Sequence, residues 1–461
     1  MARAARTRAE IEALRAQFAQ QDGLPLADLL PAARVEAALA AAGGWRDRTY
    51  TPALTLWAFL TQVISPDRSC RAAVARLAAW LLGRGVRPCS PKTDPYCKAR
   101  QRLPESLLRG LARDTGGDLH RGTAAGWRWH GRPVKLVDGT TVTMPDTPAN
   151  HADYPQHGRQ AAGVGFPMAR VVALFCLATG AALDAAMGKC RGVATGESTL
   201  LRGLGGCLAA GDVLVGDRQF AGWLTIAWCR GLGVDVVMRL HHLRPRGFRR
   251  GRRLGRADRA VRWPRPRRPR CMADEEYAAL PAELEVRQAR IEIRQRGFRS
   301  RSLTVVTTLL DAGAYPARDL GDLYRARWHA ELDLRSLKVT LGMDVLRCKS
   351  PDMVRKEVWA HLLVYNLIRG VMAAAGGGVT PRGLSFAGAV QAVLAFADAL
   401  RRASVGGRAA VVAGLMAAVR AHRVGGRPDR AEPRGRKRRP KAYPNLTRTR
   451  HEARKARYAK R

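Results

Sequence analysis

The spacing of apolar positions changes character along the chain. Up to about residue 130 it is helical, as in "CRAAVARLAAWLLGRG", where apolar side chains recur every three to four residues. Ser65-Pro66 and Asp94-Pro95 each set a capping residue before a proline, a combination that opens helices. The helix expected from Asp94 carries Lys98, Arg100 and Arg102. Two short helices with a basic second member either enter a DNA groove or simply pack. From Val134 the period shortens. "VKLVDGTTVTM" is β-rich, and "ARVVALFCLATG" and "ALDAAMGK" read as strands joined at Thr179-Gly180. Glu197 to Leu208 reads as helix. "DVLVGDRQF" reads as a buried strand ending at Gly216-Asp217, followed by a helix from Gly222 and the strand "DVVMRL". This succession predicts an α/β fold, a mixed sheet with helices on its faces.

Residues 241–299 break the pattern. "HHLRPRGFRRGRRLGR" and "RWPRPRRPRCM" are dense in Arg, Pro and Gly, and strand-like pieces return at "EVRQARIEIRQR" and "RSLTVVTTLLD". The segment reads as a basic, β-rich insertion. A long helix is expected from about Ala317 to Leu341 and another from Pro351 to Ala375, with Ala-rich helices and a basic tail behind them. The expected organisation is a helical N-terminal region over 1–130 with possible DNA binding, an α/β domain over 131–375, and a helical, basic C-terminal region over 376–461. The tail is expected to order only against a polyanion.

Charge narrows the function. The 461 residues carry 80 Lys+Arg against 38 Asp+Glu, a formal charge of +42. So much positive charge repels itself unless a polyanion offsets it, and the general candidate is nucleic acid. Nine cysteines without a CxxC pair point away from a disulfide framework or zinc ribbon and toward a reducing compartment. The first twenty residues read as a charged helix without a signal core. The run Val171 to Leu183 is too short to span a bilayer. A soluble intracellular protein with no membrane partner is the expectation.

The candidate chemistry starts in "LYRARWHAELDLRSLK". At 100° per residue, Tyr324, Arg327, Glu331, Arg335 and Lys338 share an arc of about 80°. Ala330, Leu334, Leu337 and Leu341 flank it on one side, and Trp328, Leu332 and Val339 on the other. Arg325, His329, Asp333, Ser336 and Thr340 lie opposite, as an ordinary solvent face. The second polar stripe is then aimed at the interior or at a cleft, where charge requires partners. It is either a salt-bridge stripe, Arg327–Glu331–Arg335, or part of a functional cleft. Trp223 and Trp328, near the acids, are expected to pack in the core rather than stack on a base.

Phosphoryl chemistry with two divalent ions about 4 Å apart needs further acids from other elements. Asp138 follows "VKLV" and Asp217 ends "VLVG", both at the ends of hydrophobic strands. Alone, Asp138-Gly139 is equally a hairpin turn and Asp217 equally a helix cap. His241-His242 reads as a phosphate-facing or solvated pair.

Together these segments resemble the DDE transposases of bacterial insertion sequences, specifically the insertion-sequence-four family. Its Y-(2)-R-(3)-E-(6)-K signature is matched by Tyr324, Arg327, Glu331 and Lys338. Its D-G-T is matched by Asp138-Gly139-Thr140, and its G-D-R-x-F by Gly216 to Phe220. The resemblance covers roughly residues 45 to 375. It implies an RNase H-like catalytic core, with Asp138, Asp217 and Glu331 as catalytic and metal-binding acids. It also implies Mg²⁺ as cofactor, two ions being expected, with Mn²⁺ able to substitute. Tyr324, Arg327, Arg335, Lys338 and Arg218 are the expected DNA contacts. The implied activity is metal-dependent cleavage at the element's ends and transfer of the 3′ ends into target double-stranded DNA, by a homodimer in the DNA complex. An RNase H-like nuclease that cuts without joining, or a non-catalytic DNA-binding regulator, is the alternative.

Overall fold

The computed structural model describes residues 2–18, 29–41, 43, 49–83, 85–192, 195–244, 248–269, 272–293, 301–377, 380–404, 406–425 and 444–458. The chain falls into two compact units. One holds Met1–Gly131, Leu174–Asp184 and Ala330–Val424, and the other Arg132–Ala173, Ala185–His329 and Gly425–Arg461.

The second unit is built on the sheet. The strands are β1 (Val134–Thr143), β2 (Met168–Cys176), β3 (Ala182–Lys189), β4 (Val213–Gly216), β5 (Asp235–Arg239), β6 (Arg252–Gly255), β7 (Asp258–Pro264), β8 (Glu283–Glu292) and β9 (Ser302–Thr307), with Leu174–Cys176 of β2 and Ala182–Asp184 of β3 falling in the other unit. They form one nine-stranded sheet in the order β3-β2-β1-β4-β5-β9-β8-β7-β6. β1, β4 and β5 are parallel, while β5–β9 and the pairs from β9 out to β6 are antiparallel. The parallel strands are short, and Val213, Leu214, Val215, Val236 and Val237 are fully buried, as strands covered on both faces must be. A mixed sheet flanked by helices, with helical segments at either end of the chain, fits the RNase H-like class expected from the sequence. The basic segment from residue 241 is no detached module: β6, β7 and β8 extend the same sheet outward from β9. Arg287 on β8 is wholly buried and is held by Asp258 on β7.

The other unit is helical. Its axis is the Pro351–Ala375 helix, buried along nearly its whole length. By length and composition this helix would also pass as a membrane span, but 89% of its most apolar window is buried inside the unit. Pro52–Ile64, Glu105–Arg121, Phe386–Arg402 and Arg408–Ala421 pack around it.

Several local expectations are corrected. Ser65 does not open a helix. It ends Pro52–Ile64, with its hydroxyl donating to Thr61 O at 2.6 Å, and the next helix starts at Cys70 behind Ser69, which accepts from Ala72 N. Proline at 66 stops the preceding helix instead of seeding the following one. The helix at Asp94–Arg102 is present, with Thr93 at its N-cap. Lys98 and Arg102 are exposed, but Arg100 is buried between Cys70, Cys97 and the Phe59 and Tyr96 rings and cannot meet a DNA groove. The helical stretch at Glu197 is shorter than expected, Glu197–Arg202 plus one 3-10 turn. Residues 426–443, within the basic tail, and 245–247, 270–271 and 294–300, within the basic segment, lie outside the described residues. Arg450–Tyr458 of the tail is helical.

Candidate active site

β1 runs unbroken through Asp138-Gly139-Thr140, so Asp138-Gly139 is no hairpin turn. Nor does Asp217 cap the next helix, whose N-cap is Gly222. The two aspartates are instead related by strand register. Val134, Lys135 and Leu136 of β1 pair in parallel with Val213, Leu214 and Val215 of β4. The pairing ends at Leu136 and Val215, so Asp138 and Asp217 each stand two residues past the last pair, at the same end of the two strands. Gly216 is closely packed: a Cβ there would lie 2.9 Å from Val137 Cγ1 and 3.2 Å from Phe220.

Both carboxylates are held by main-chain amides. Gly139 N donates to Asp138 Oδ1 at 2.8 Å, and Gln219 N to Asp217 Oδ1 at 2.7 Å. The Arg327 guanidinium stands 3.8 Å from Asp138 Oδ2 and 5.8 Å from the centroid of the Tyr324 ring. Burial raises the Tyr324 hydroxyl pKa, while Arg327 and Arg239 pull it back and Asp217 raises it further. These mutual effects put Tyr324, Arg327, Arg239 and Asp217 in one neighbourhood of the sheet unit.

One participant escaped the sequence. Glu197 opens its short helix half-buried, 3.8 Å from Arg170. A Cβ on Gly139 would lie 2.5 Å from Glu197 Oε1, so this carboxylate rests on the glycine beside Asp138. Its pKa is raised, first by burial and also by Asp217, against the pull of Arg170. The DGT glycine is thus a contact point for a third acid. The sequence showed only "GES", a helix-opening pattern.

The signature residues divide between the units. Tyr324 and Arg327 belong to the sheet unit, and Glu331, Arg335 and Lys338 to the helical one. The expected single helix is broken. Ala317–Ala326 ends at Arg327, Trp328–Arg335 follows, and Ser336–Thr340 is a π-helical turn. Arg327 N bonds back three residues to Tyr324 O, and Leu341 N five residues to Ser336 O. No Gly or Pro stands at either irregularity.

The face assignment also changes. Asp333, expected on the solvent face, is wholly buried. Arg382 Nη1 donates to both its oxygens at 2.7 and 2.8 Å, and Arg369 binds it as well. Trp328, expected in the core, is 57% exposed, and Val339 69%. Trp223 does pack inside, its Nε1 donating to Trp263 O at 3.0 Å. Asp333 is the anchor of this helix. Glu331, two residues and 200° away, points to the opposite side of the helix from it, half-buried. Arg335 is exposed, and Lys338 pairs with Asp344 at 3.0 Å. Arg218 is exposed and lines a cavity of about 130 Å³ with Arg239, His241, His242, Arg244 and Arg290. The His241 and His242 rings stack at 4.4 Å in this basic recess.

The pattern of the "Transposase DDE domain" family matches residues 129–367, more than half of the chain. The chain belongs to the DDE transposases. It is 26% identical over 366 residues to the transposase InsG for insertion sequence element IS4 of Escherichia coli (strain K12), covering 75% of this chain and 77% of that protein. It is 38% identical to the transposase for insertion sequence element IS421 of Escherichia coli over 64 residues, 14% of this chain and 17% of that one. The transposase acts on DNA, and its family uses divalent metal.

The residues present suit such an ion. Asp138 and Asp217 offer hard carboxylate oxygens of the kind Mg²⁺ and Mn²⁺ take. Two like charges on neighbouring strands favour a shared cation. Among the described residues no group of three His, Cys, Asp or Glu side chains forms a closed metal cage, and an ion held by the two aspartates would have to complete its coordination with other ligands.

Proposed function

We propose that this transposase cuts DNA at the ends of its insertion sequence and joins the freed 3′ ends to target DNA. Asp138, Asp217 and Glu331 are the proposed acids, with two Mg²⁺ ions as cofactor and Mn²⁺ as a substitute. The observation that carries the reading is the β1–β4 register, which leaves Asp138 and Asp217 each two residues past the last paired position of adjacent strands. The ions, when bound, activate the attacking oxygen and stabilise the leaving one. Asp138 and Asp217 bind through oxygens already oriented by main-chain amides. Glu331, acceptor-only when ionised, is the third ligand.

The cations grip and orient. Arg327 and Lys338 bind phosphate, Arg335 and Arg218 extend the contact from exposed positions, and Tyr324 donates a hydrogen bond or stacks. This positioning places the scissile phosphate in line for displacement. The substrate is double-stranded DNA, both element ends and target, and a homodimer pairs the two ends.

A strand-transfer assay with labelled end DNA tests the reading. Wild-type protein with Mg²⁺ should yield joined product. Asp138→Asn, Asp217→Asn and Glu331→Gln should bind the ends, melt normally and neither cut nor join. Cleaved but never joined DNA would make the protein a nuclease. Near wild-type cutting by any of the three variants would remove that acid from the site.

A further inference from the structure

The helical unit contains a cavity of about 870 Å³, remote in sequence from Asp138, Asp217 and Glu331. Its walls come from the helices Ala2–Gln17, Pro52–Ile64, Cys70–Leu82, Phe386–Arg402 and Arg408–Ala421. The size lies in the range of small-molecule sites.

Its polar lining is one-sided. Among the described residues, four in the cavity's walls carry a buried side-chain atom with no hydrogen-bond partner: Trp57 Nε1, Thr61 Oγ1, Arg76 Nε and Arg408 Nε. Trp57 is 1% exposed and Thr61 6%. Buried polar atoms are nearly always paired in native interiors, so four orphans on one cavity call for an explanation. Three of them are donors that cannot accept, and the fourth, a hydroxyl, can donate. Their common complement is an acceptor-rich group.

The charges agree. Arg76, Arg401, Arg402 and Arg408 line the cavity against two acids, Glu12 and Asp398. Those acids are already engaged, Glu12 by Arg15 and Asp398 by Arg401 and Arg402. Among the described residues, no carboxylate lies within ion-pair distance of Arg76 or Arg408. Burial lowers the pKa of Arg76, and that of Arg401 likewise, helped by Arg402, so an anion in the cavity would relieve both.

The remaining wall is apolar and aromatic. Alanines of the first helix, Leu394 and the indole of Trp80 complete it, and the Trp80 ring lies 5.3 Å from that of Trp57. A simple anion would leave this surface wet. A ligand with a planar apolar part and a phosphate part would use both halves.

We propose that this cavity is a binding site for a nucleoside phosphate. The base lies against Trp57, Trp80 and the alanine wall. The phosphates meet Arg76 and Arg408, with Arg401 and Arg402 at the rim. The site is separate from DNA cleavage and does not depend on the assignment of the acids.

The test is calorimetric titration of the full chain with ATP, adenosine, inorganic triphosphate and a single-stranded oligonucleotide at one fixed ionic strength. A charge of +42 attracts any polyanion, so the readout is the difference between ligands and between variants. ATP should saturate one site per chain, roughly tenfold tighter than adenosine or inorganic triphosphate. Arg408→Gln and Arg76→Gln should each weaken ATP about tenfold, and Thr61→Val less, while binding of end DNA stays the same. Arg408 packs on no partner that its loss would strand, and a melting curve for each variant identifies any misfolded one. Equal affinity for ATP and inorganic triphosphate would reduce the cavity to an anion patch and overturn the proposal. So would ATP affinity unchanged in folded Arg408→Gln and Arg76→Gln, or weakening of the oligonucleotide alone by these substitutions, which would assign the cavity to DNA.

Discussion

Two acids two residues apart on one helix should fail in opposite ways. Asp333→Asn and Glu331→Gln are the same perturbation, loss of one negative charge at nearly constant shape. Asp333 is wholly buried, and its partners Arg369 and Arg382 are 5% and 9% exposed in their side chains. Neutralising it strands two buried guanidiniums whose remaining hydrogen bonds go to carbonyl oxygens of residues 176 and 177, the Tyr365 hydroxyl and a thioether, with the Tyr365 and Phe386 rings beside Arg369. Removing one partner of a buried ion pair costs about 3–5 kcal/mol. For a unit of this size that lowers the melting temperature by roughly 6–20 °C. Glu331 is half-buried and sits on the other side of the helix, so Glu331→Gln should stay within about 1 kcal/mol of wild type. The assay is thermal and urea unfolding of both variants beside end-DNA cleavage. The expected pattern is an early-melting Asp333→Asn and a normally melting, inactive Glu331→Gln. An Asp333→Asn protein melting within a degree of wild type would refute the anchor. An early-melting Glu331→Gln would mean that Glu331 is itself part of a structural ion pair.

Gly139→Ala should cost about 1–3 kcal/mol through overpacking and depress cleavage, because the new methyl meets the Glu197 carboxylate. Adding Glu197→Ala should recover part of that stability, and purely additive unfolding energies would show that the contact is not the cause. Cys97 should alkylate unusually fast at mildly acidic pH. The Cys70 thiol and the Arg100 guanidinium hold its pKa down to about 6. It is therefore thiol below that value and thiolate above, and the rate should climb through pH 6 and level off. A rate still climbing through pH 8–9, as for a free cysteine, would contradict that environment. DNA affinity should fall steeply with salt, with a log–log slope of about −0.9 per phosphate neutralised. Truncation after about residue 433 should flatten it, and an unchanged slope would mean the tail does not touch DNA.

The sequence by itself determined whatever depends on local period and composition. The parallel strands, the β2–β3 pair joined at Thr179-Gly180 and the Pro351–Ala375 helix all fall where apolar spacing puts them. Burying one face of a strand or helix imposes its period on the chain. The DNA partner followed from a charge sum, and the family from three short motifs that no folding step is needed to see.

Tertiary structure decided what depends on neighbours distant in sequence. Strand register, a property of two strands and not of either, put Asp138 and Asp217 at the same end of adjacent paired strands. The buried face of the signature helix was set by Arg369 and Arg382, about forty residues downstream. A helical wheel treats Asp333 as solvent-facing because a lone carboxylate avoids burial, and only a partner that folds against it reverses the sign. The break at Arg327 and the π turn after Arg335 carry no Gly or Pro, so local propensity is silent about them. Glu197 and the arginine-lined cavity were invisible for the same reason: each exists where separate segments meet, and a linear reading contains no such place.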